Sequence, residues 1–188
     1  MDNQNFNPFT DRQARIIRNS LASALSRVLE NPDTPSLAEI ETTAAKLLQT
    51  ELSPPAKAYI EDRMKRYARC VAAIDGKKIQ DPLTRAFVLW DEGLFFEVHD
   101  VLEKLWLTAQ GREKSALQGF IRAAGVYILM ESGNKKGMAK MATKAVQSLE
   151  ADADTLPSPA STRLLLEKLR SLDPVPPKLL RQATNHRG

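Results

Sequence analysis

The residues of this 188-residue chain best suited to do chemistry lie together, in Phe95-Phe96-Glu97-Val98-His99-Asp100-Val101-Leu102-Glu103-Lys104-Leu105-Trp106. On a helix advancing about 100° per residue, His99 and Glu103 fall one turn apart on the same face, and Trp106 continues the stripe. Glu92 and Phe96 extend it backwards if the helix begins early. A histidine and a carboxylate at this spacing allow three chemistries. They can share a divalent metal ion, one can orient the other as a general base, or they can satisfy each other as a polar pair between helices.

The metal reading needs at least three protein ligands, and one helix supplies only His99 and Glu103 on one face. On an ideal helix Glu97 and Asp100 project about 160° and 100° away from His99. Further donors would come from Glu92, Asp91, Gln118 or Glu131, or from a second subunit. Glu92 and Gln118 are the expected supporting residues behind the pair. A carboxylate-rich di-iron bundle is excluded, because it requires two Glu-two-residues-His pairs and the chain has none.

Other catalytic vocabularies are missing. There is neither a phosphate-binding glycine loop nor a dinucleotide fingerprint. The second histidine, His186, sits in the terminal segment, so a Ser-His-Asp or Cys-His site would have to use His99. The sequence therefore leans away from an enzyme.

These residues resemble the bacterial, archaeal and plastid family known as domain of unknown function 309. His99, Glu103 and Trp106 reproduce its His-three-residues-Glu-two-residues-Trp motif, and Gly93 to His99 is similar to the family's entry to that motif. Leu117-Gln118-Gly119-Phe120-Ile121 and Ala123-Ala124 resemble its second helix. Gly133-Asn134, Gly137 and Ala145 to Leu149 resemble the turn and end of its third. The resemblance spans roughly Leu83 to Leu149. It implies an all-helical bundle with no established activity, and a motif suggested as a metal site. One departure stands out: the family has Glu after the histidine, whereas this chain has Asp100, one methylene shorter.

The elements that must position the motif are all helical. Thr10 with Gln13 and Ser36 with Glu39 read as capping boxes. Ser53-Pro54 and Asp81-Pro82 place a cap residue before a proline whose missing amide costs a first turn nothing. Apolar residues then recur at helical spacing, as in Ile17, Leu21, Leu25 and Val28. Another helix carries Leu83, Phe87 and Trp90, broken at Gly93. The motif helix follows from Leu94 to about Ala109, with Gly111 as its end residue. Arg112 to Ser132, Lys135 to about Ala151 and Ser161 to Leu172 complete the set. No strand pattern competes. The expectation is an all-α antiparallel bundle of about seven to eight helices. Residues 1–80 form an N-terminal extension packed on a core of residues 81–172, and residues 173–188 form a mobile tail.

Within the motif helix, Phe95, Val98, Leu102 and Leu105 must face a core, while Lys104 and Glu97 face solvent. The His99–Glu103–Trp106 cluster is expected as a buried polar cluster that holds helix register.

Composition narrows the classes. With 43% hydrophobic and 27% charged residues, the chain reads as a globular domain. The single cysteine, Cys70, excludes an internal disulfide framework. The polar start and the absence of a long apolar run point to a cytoplasmic protein without a membrane span. The net charge of +4 is spread over the two flanks, since residues 81–150 hold 9 basic and 9 acidic groups. The densest basic stretch, Lys57 to Lys78, reads as a solvated helix face, which disfavours nucleic acid but leaves a polyanion surface as an alternative. The favoured role is structural or protein-binding, with a protein partner or a second copy of the chain. No cofactor is certain; the alternative is a divalent metal or small ligand at His99 and Glu103, with hydrolytic chemistry.

Overall fold

A computed structural model describes residues 6–30, 36–156 and 162–180. Among these residues there are eight α-helices and no strand. The helices are α1 (Arg12–Glu30), α2 (Ala38–Leu48), α3 (Pro54–Gly76), α4 (Pro82–Asp91), α5 (Phe95–Thr108), α6 (Gly111–Glu131), α7 (Met138–Asp152) and α8 (Thr162–Ser171). A short 3-10 turn, Ala153–Thr155, follows α7. The chain divides into two compact units, Met1–Gln80 and Asp81–Gly188.

In the first unit, α1 buries Ile17, Leu21, Leu25 and Val28 at the spacing expected of one helix face. α3 buries Ile60, Tyr67, Cys70 and Ile74. Its first turn is held as the sequence predicts: Ser53 Oγ accepts from the Ala56 amide at 3.4 Å, with Pro54 at the first helical position. The other two caps of this unit differ from expectation. At α1 the Gln13 amide donates to Asp11 Oδ1 at 2.7 Å, and the Gln13 side chain reaches Glu51 O at 3.0 Å. At α2 the Ser36 hydroxyl meets the Ala38 amide at 3.3 Å, while Glu39 pairs with Arg27. Gln13 is thus engaged as a donor, to Asp11 through its backbone and to Glu51 through its side chain, while Glu39 accepts from Arg27.

The basic residues from Lys57 to Lys78 do not form one open stripe. Arg63 is buried, with its guanidinium 4.8 Å from the Tyr59 ring, and Tyr59 stacks on Phe6 at 3.8 Å. Arg66 pairs with Asp62 at 2.9 Å, and Lys78 with Asp75 at 2.8 Å. Tyr67 lies in the core, whereas Tyr59 is half-buried.

In the second unit, consecutive helices pack in chain order from α4 to α8, and the broadest contact is α6 on α7. Asp81 caps α4 by accepting from the Thr84 amide at 2.8 Å. Gly93, at φ +70, makes the left-handed turn between α4 and α5 that an L side chain would resist. Gly119 sets the approach of α6 to α7. A Cβ there would meet Leu149 Cγ at 2.8 Å and the Leu149 backbone nitrogen at 3.2 Å. Aromatic rings fill the centre: Trp90 meets Phe95 and Tyr127 edge-on at 5.0 and 5.5 Å, and Phe95 stacks on Tyr127 at 5.0 Å.

Residues 173–180, read from the sequence as part of a mobile tail, are hydrogen-bonded to α4. They form a strap docked against α4. The Trp90 indole N–H donates to Pro177 O at 2.9 Å, and Leu179 is fully buried. The Leu179 and Leu180 amides donate to the Asp91 carboxylate at 2.6 and 3.2 Å, and Lys178 Nζ donates to the Asp91 carbonyl. The reason is local: two backbone amides with no helix to satisfy them find one half-buried carboxylate. The remainder of the expected tail, with His186, lies outside the described residues.

Candidate functional site on helix α5

Helix α5 starts one residue after Leu94, which is itself buried, and runs to Thr108. Phe95, Val98 and Leu102 are buried and Leu105 is half-buried, so the predicted core stripe holds over most of its length. Glu97 corrects the sequence reading. It was expected toward solvent, yet it is only 2% exposed. It stands three residues after Leu94 and one before Val98, inside the arc that the helix turns inward.

His99 Nδ1 and Glu103 Oε2 are 3.6 Å apart, beyond ordinary hydrogen-bond distance. Their side chains are 35% and 55% exposed. The expectation of a buried His–Glu–Trp cluster is therefore corrected. The inward arc of α5 is already filled by Leu94, Phe95, Val98 and Leu102, which leaves the motif stripe at the solvent rim. Trp106 and Asp100 are half-buried, as is Phe96, and Leu107 beside Trp106 is 70% exposed. Glu92 does not extend the stripe. It is the residue that ends α4, and Gly93 turns the chain before α5 begins.

Gln118 lies beside one motif residue, Trp106. With Trp106 it lines a polar groove of about 270 Å³ whose other walls include Lys114, Ser115, Arg122 and Ser148. Three elements build it: the end of α5, the first half of α6, and α7. Lys114 Nζ lies 4.2 Å from the Trp106 ring centroid, a cation–π contact. Arg122 Nη1 donates to Ser148 Oγ at 3.1 Å. Trp106 Nε1 is shielded from solvent and has no hydrogen-bond partner among the described residues. Next to the groove, Asp152 is held below the ordinary carboxylate range by hydrogen bonds from Ser115 and Arg112. Arg112 is itself bound to Asp152 and Asp154 at 2.9 and 3.0 Å.

Sequence reasoning did not find Lys114, Arg122 or Ser148. The signal was present, because Lys114, Gln118 and Arg122 recur every four residues along α6. Gly111 was also placed differently: it opens α6 at φ +55 and does not end α5.

A divalent cation at His99 and Glu103 does not fit the residues at hand. Among the described residues no group of three or more His, Cys, Asp or Glu side chains is placed to hold a metal ion. Two donors on one helix face leave a tetrahedral or octahedral ion dependent on groups from elsewhere.

Residues 83–141 match the family model described as domain of unknown function (DUF309). The match places this stretch in the DUF309 family. It covers α4, α5 and α6 and enters α7, so the motif helix and most of the groove fall within it. No curated protein and no solved structure matches the chain. Among the described residues no helix is long and apolar enough to cross a membrane.

Proposed function

We propose that this DUF309-containing chain is a binding protein, whose recognition face is the α5 stripe of His99, Glu103 and Trp106 together with the groove beside Trp106. One observation carries the reading. The polar members of the stripe stand at the solvent rim, where neither is needed to satisfy the core. A polar pair with a half-buried indole beside it, opening onto a groove, is suited to contact with another molecule. The favoured role thus shifts from holding the bundle to presenting a surface.

The two tryptophans provide the test. Each of the two indole N–H groups should give one signal in a proton–nitrogen correlation spectrum. Trp90 is buried and donates to Pro177, so its signal is an internal control. In a titration with a library of small fragments, hits should move the Trp106 indole and the amides of His99, Glu103 and Gln118 while the Trp90 signal stays still. A screen whose hits all leave the Trp106 indole unmoved would overturn the proposal.

A further inference from the structure

We infer that the groove between α5, α6 and α7 receives a small organic oxyanion, a carboxylate or phosphate, carried on a planar apolar body that lies against Trp106. The inference rests on the binding reading above and names the class of ligand for that face.

Charge is the first argument. Two cations, Lys114 and Arg122, line the groove, and no carboxylate does. Neither cation has an ion-pair partner among the described residues; Lys114 rests on the Trp106 ring and Arg122 on the Ser148 hydroxyl. Elsewhere in this unit, Arg112 pairs with Asp152 and Asp154, Arg170 with Glu150, and Lys168 with Asp173. The groove therefore concentrates positive charge that the fold has left unmatched. Asp152, which accepts from Ser115 of the groove wall, is occupied by Ser115 and Arg112, so it does not compete for Lys114.

Hydrogen bonding is the second. Ser148 Oγ accepts from Arg122, which leaves its own O–H to donate. Gln118 adds an amide. The Trp106 ring supplies the aromatic wall. The groove also opens at the N-terminal turn of α6, a 21-residue helix whose preceding residue, Gln110, provides no side-chain cap. Its first amides and the helix dipole add to the same sign of field, against one acid in that turn, Glu113. Cations, donors and an aromatic wall converge on an oxyanion with a flat apolar body.

The test uses the full chain and the Trp106 indole signal at low ionic strength, with benzoate, phenyl phosphate and the neutral benzamide as probes. The two anions should produce saturable shifts, and benzamide should bind at least about tenfold more weakly. The tighter of the two anions identifies the headgroup. Lys114→Gln should weaken anion binding by at least about fivefold without moving the thermal midpoint, since Lys114 has no structural ion pair. Arg122→Gln should weaken it likewise; if loss of the Ser148 bond unfolds that variant, Lys114→Gln alone decides. Equal binding of benzamide and benzoate at Trp106 would overturn the oxyanion while leaving the binding face intact. Undiminished binding of both anions by Lys114→Gln would overturn it as well.

Discussion

His99 Nδ1 stands 3.6 Å from Glu103 Oε2, one turn along α5, and both side chains reach solvent. A pair of this kind contributes little to folding, because water competes for each partner and ordering two side chains costs entropy. His99→Ala and Glu103→Ala should each change the unfolding free energy by less than about 0.5 kcal/mol in urea denaturation. A loss above about 2 kcal/mol from either would mean that the pair holds the bundle.

Gly119 and Gly125 face α7 in different ways, and the difference predicts opposite outcomes. A Cβ at Gly119 would collide with the branched carbon and the backbone of Leu149. At Gly125 the near atom is Met141 Sδ at 2.8 Å, on a flexible thioether that can swing aside. Gly119→Val should therefore lose about 1–3 kcal/mol through overpacking. Gly125→Ala should be neutral, or gain up to about 1 kcal/mol from helix propensity. Thermal unfolding of the two variants side by side checks the contrast.

The same contrast explains how much was legible in the sequence. Ser53-Pro54 and Asp81-Pro82 announced their helices because cap and proline act locally, and both caps are made. Thr10 and Ser36 failed to make capping boxes because Gln13 and Glu39 found partners distant in sequence, Glu51 and Arg27. The motif helix and its core stripe were readable from period alone. Which flank of that stripe turned inward was not, since Glu97 and His99 sit on either side of it and only tertiary packing chooses between them. The groove was hidden for a related reason: Lys114, Gln118 and Arg122 show their period, but Ser148 and Trp106 join them only through the packing of three helices.

Asp91 anchors the strap, and its removal should release it. Its carboxylate accepts from the Leu179 and Leu180 amides, and burial raises its pKa despite those bonds. Asp91→Ala should cost about 1–3 kcal/mol by stranding the two amides. Hydrogen exchange at Leu179 and Leu180 should accelerate by about tenfold or more, while the amides of α6 keep their protection. Asp91→Asn, which retains one carbonyl acceptor, should lie between the two.

The start of the strap should respond to acid. Lys168, bound at 2.7 Å, holds Asp173 below the ordinary carboxylate range, and the Val175 amide adds to the effect. A depressed folded pKa means that the unfolded chain binds the proton more tightly. The stabilisation is therefore complete above the ordinary aspartate value of about 3.9 and is lost as pH falls through the lower, folded value. Asp152 acts in the same direction, through Ser115 and Arg112. Asp91, whose pKa is raised, opposes both, because protonation relieves its burial. Asp173→Asn should flatten the fall in thermal midpoint below about pH 4. An unchanged acid slope would remove Asp173 from the account.

Tyr127 supplies the sharpest test of the core. Its ring is fully enclosed by Trp90 and Phe95, and its hydroxyl is buried with no hydrogen-bond partner among the described residues. Burial, with the nearby charge of Asp173 adding to it, pushes its pKa up to about 12, so the group is a neutral phenol throughout the stable range. A buried hydroxyl that makes no bond has given up its water without compensation. Tyr127→Phe keeps every ring contact and deletes only that cost. The variant should therefore be more stable by about 1 kcal/mol in equilibrium denaturation. A loss of the same size would mean that the hydroxyl holds an ordered water in solution, and that this water belongs to the structure of the second unit.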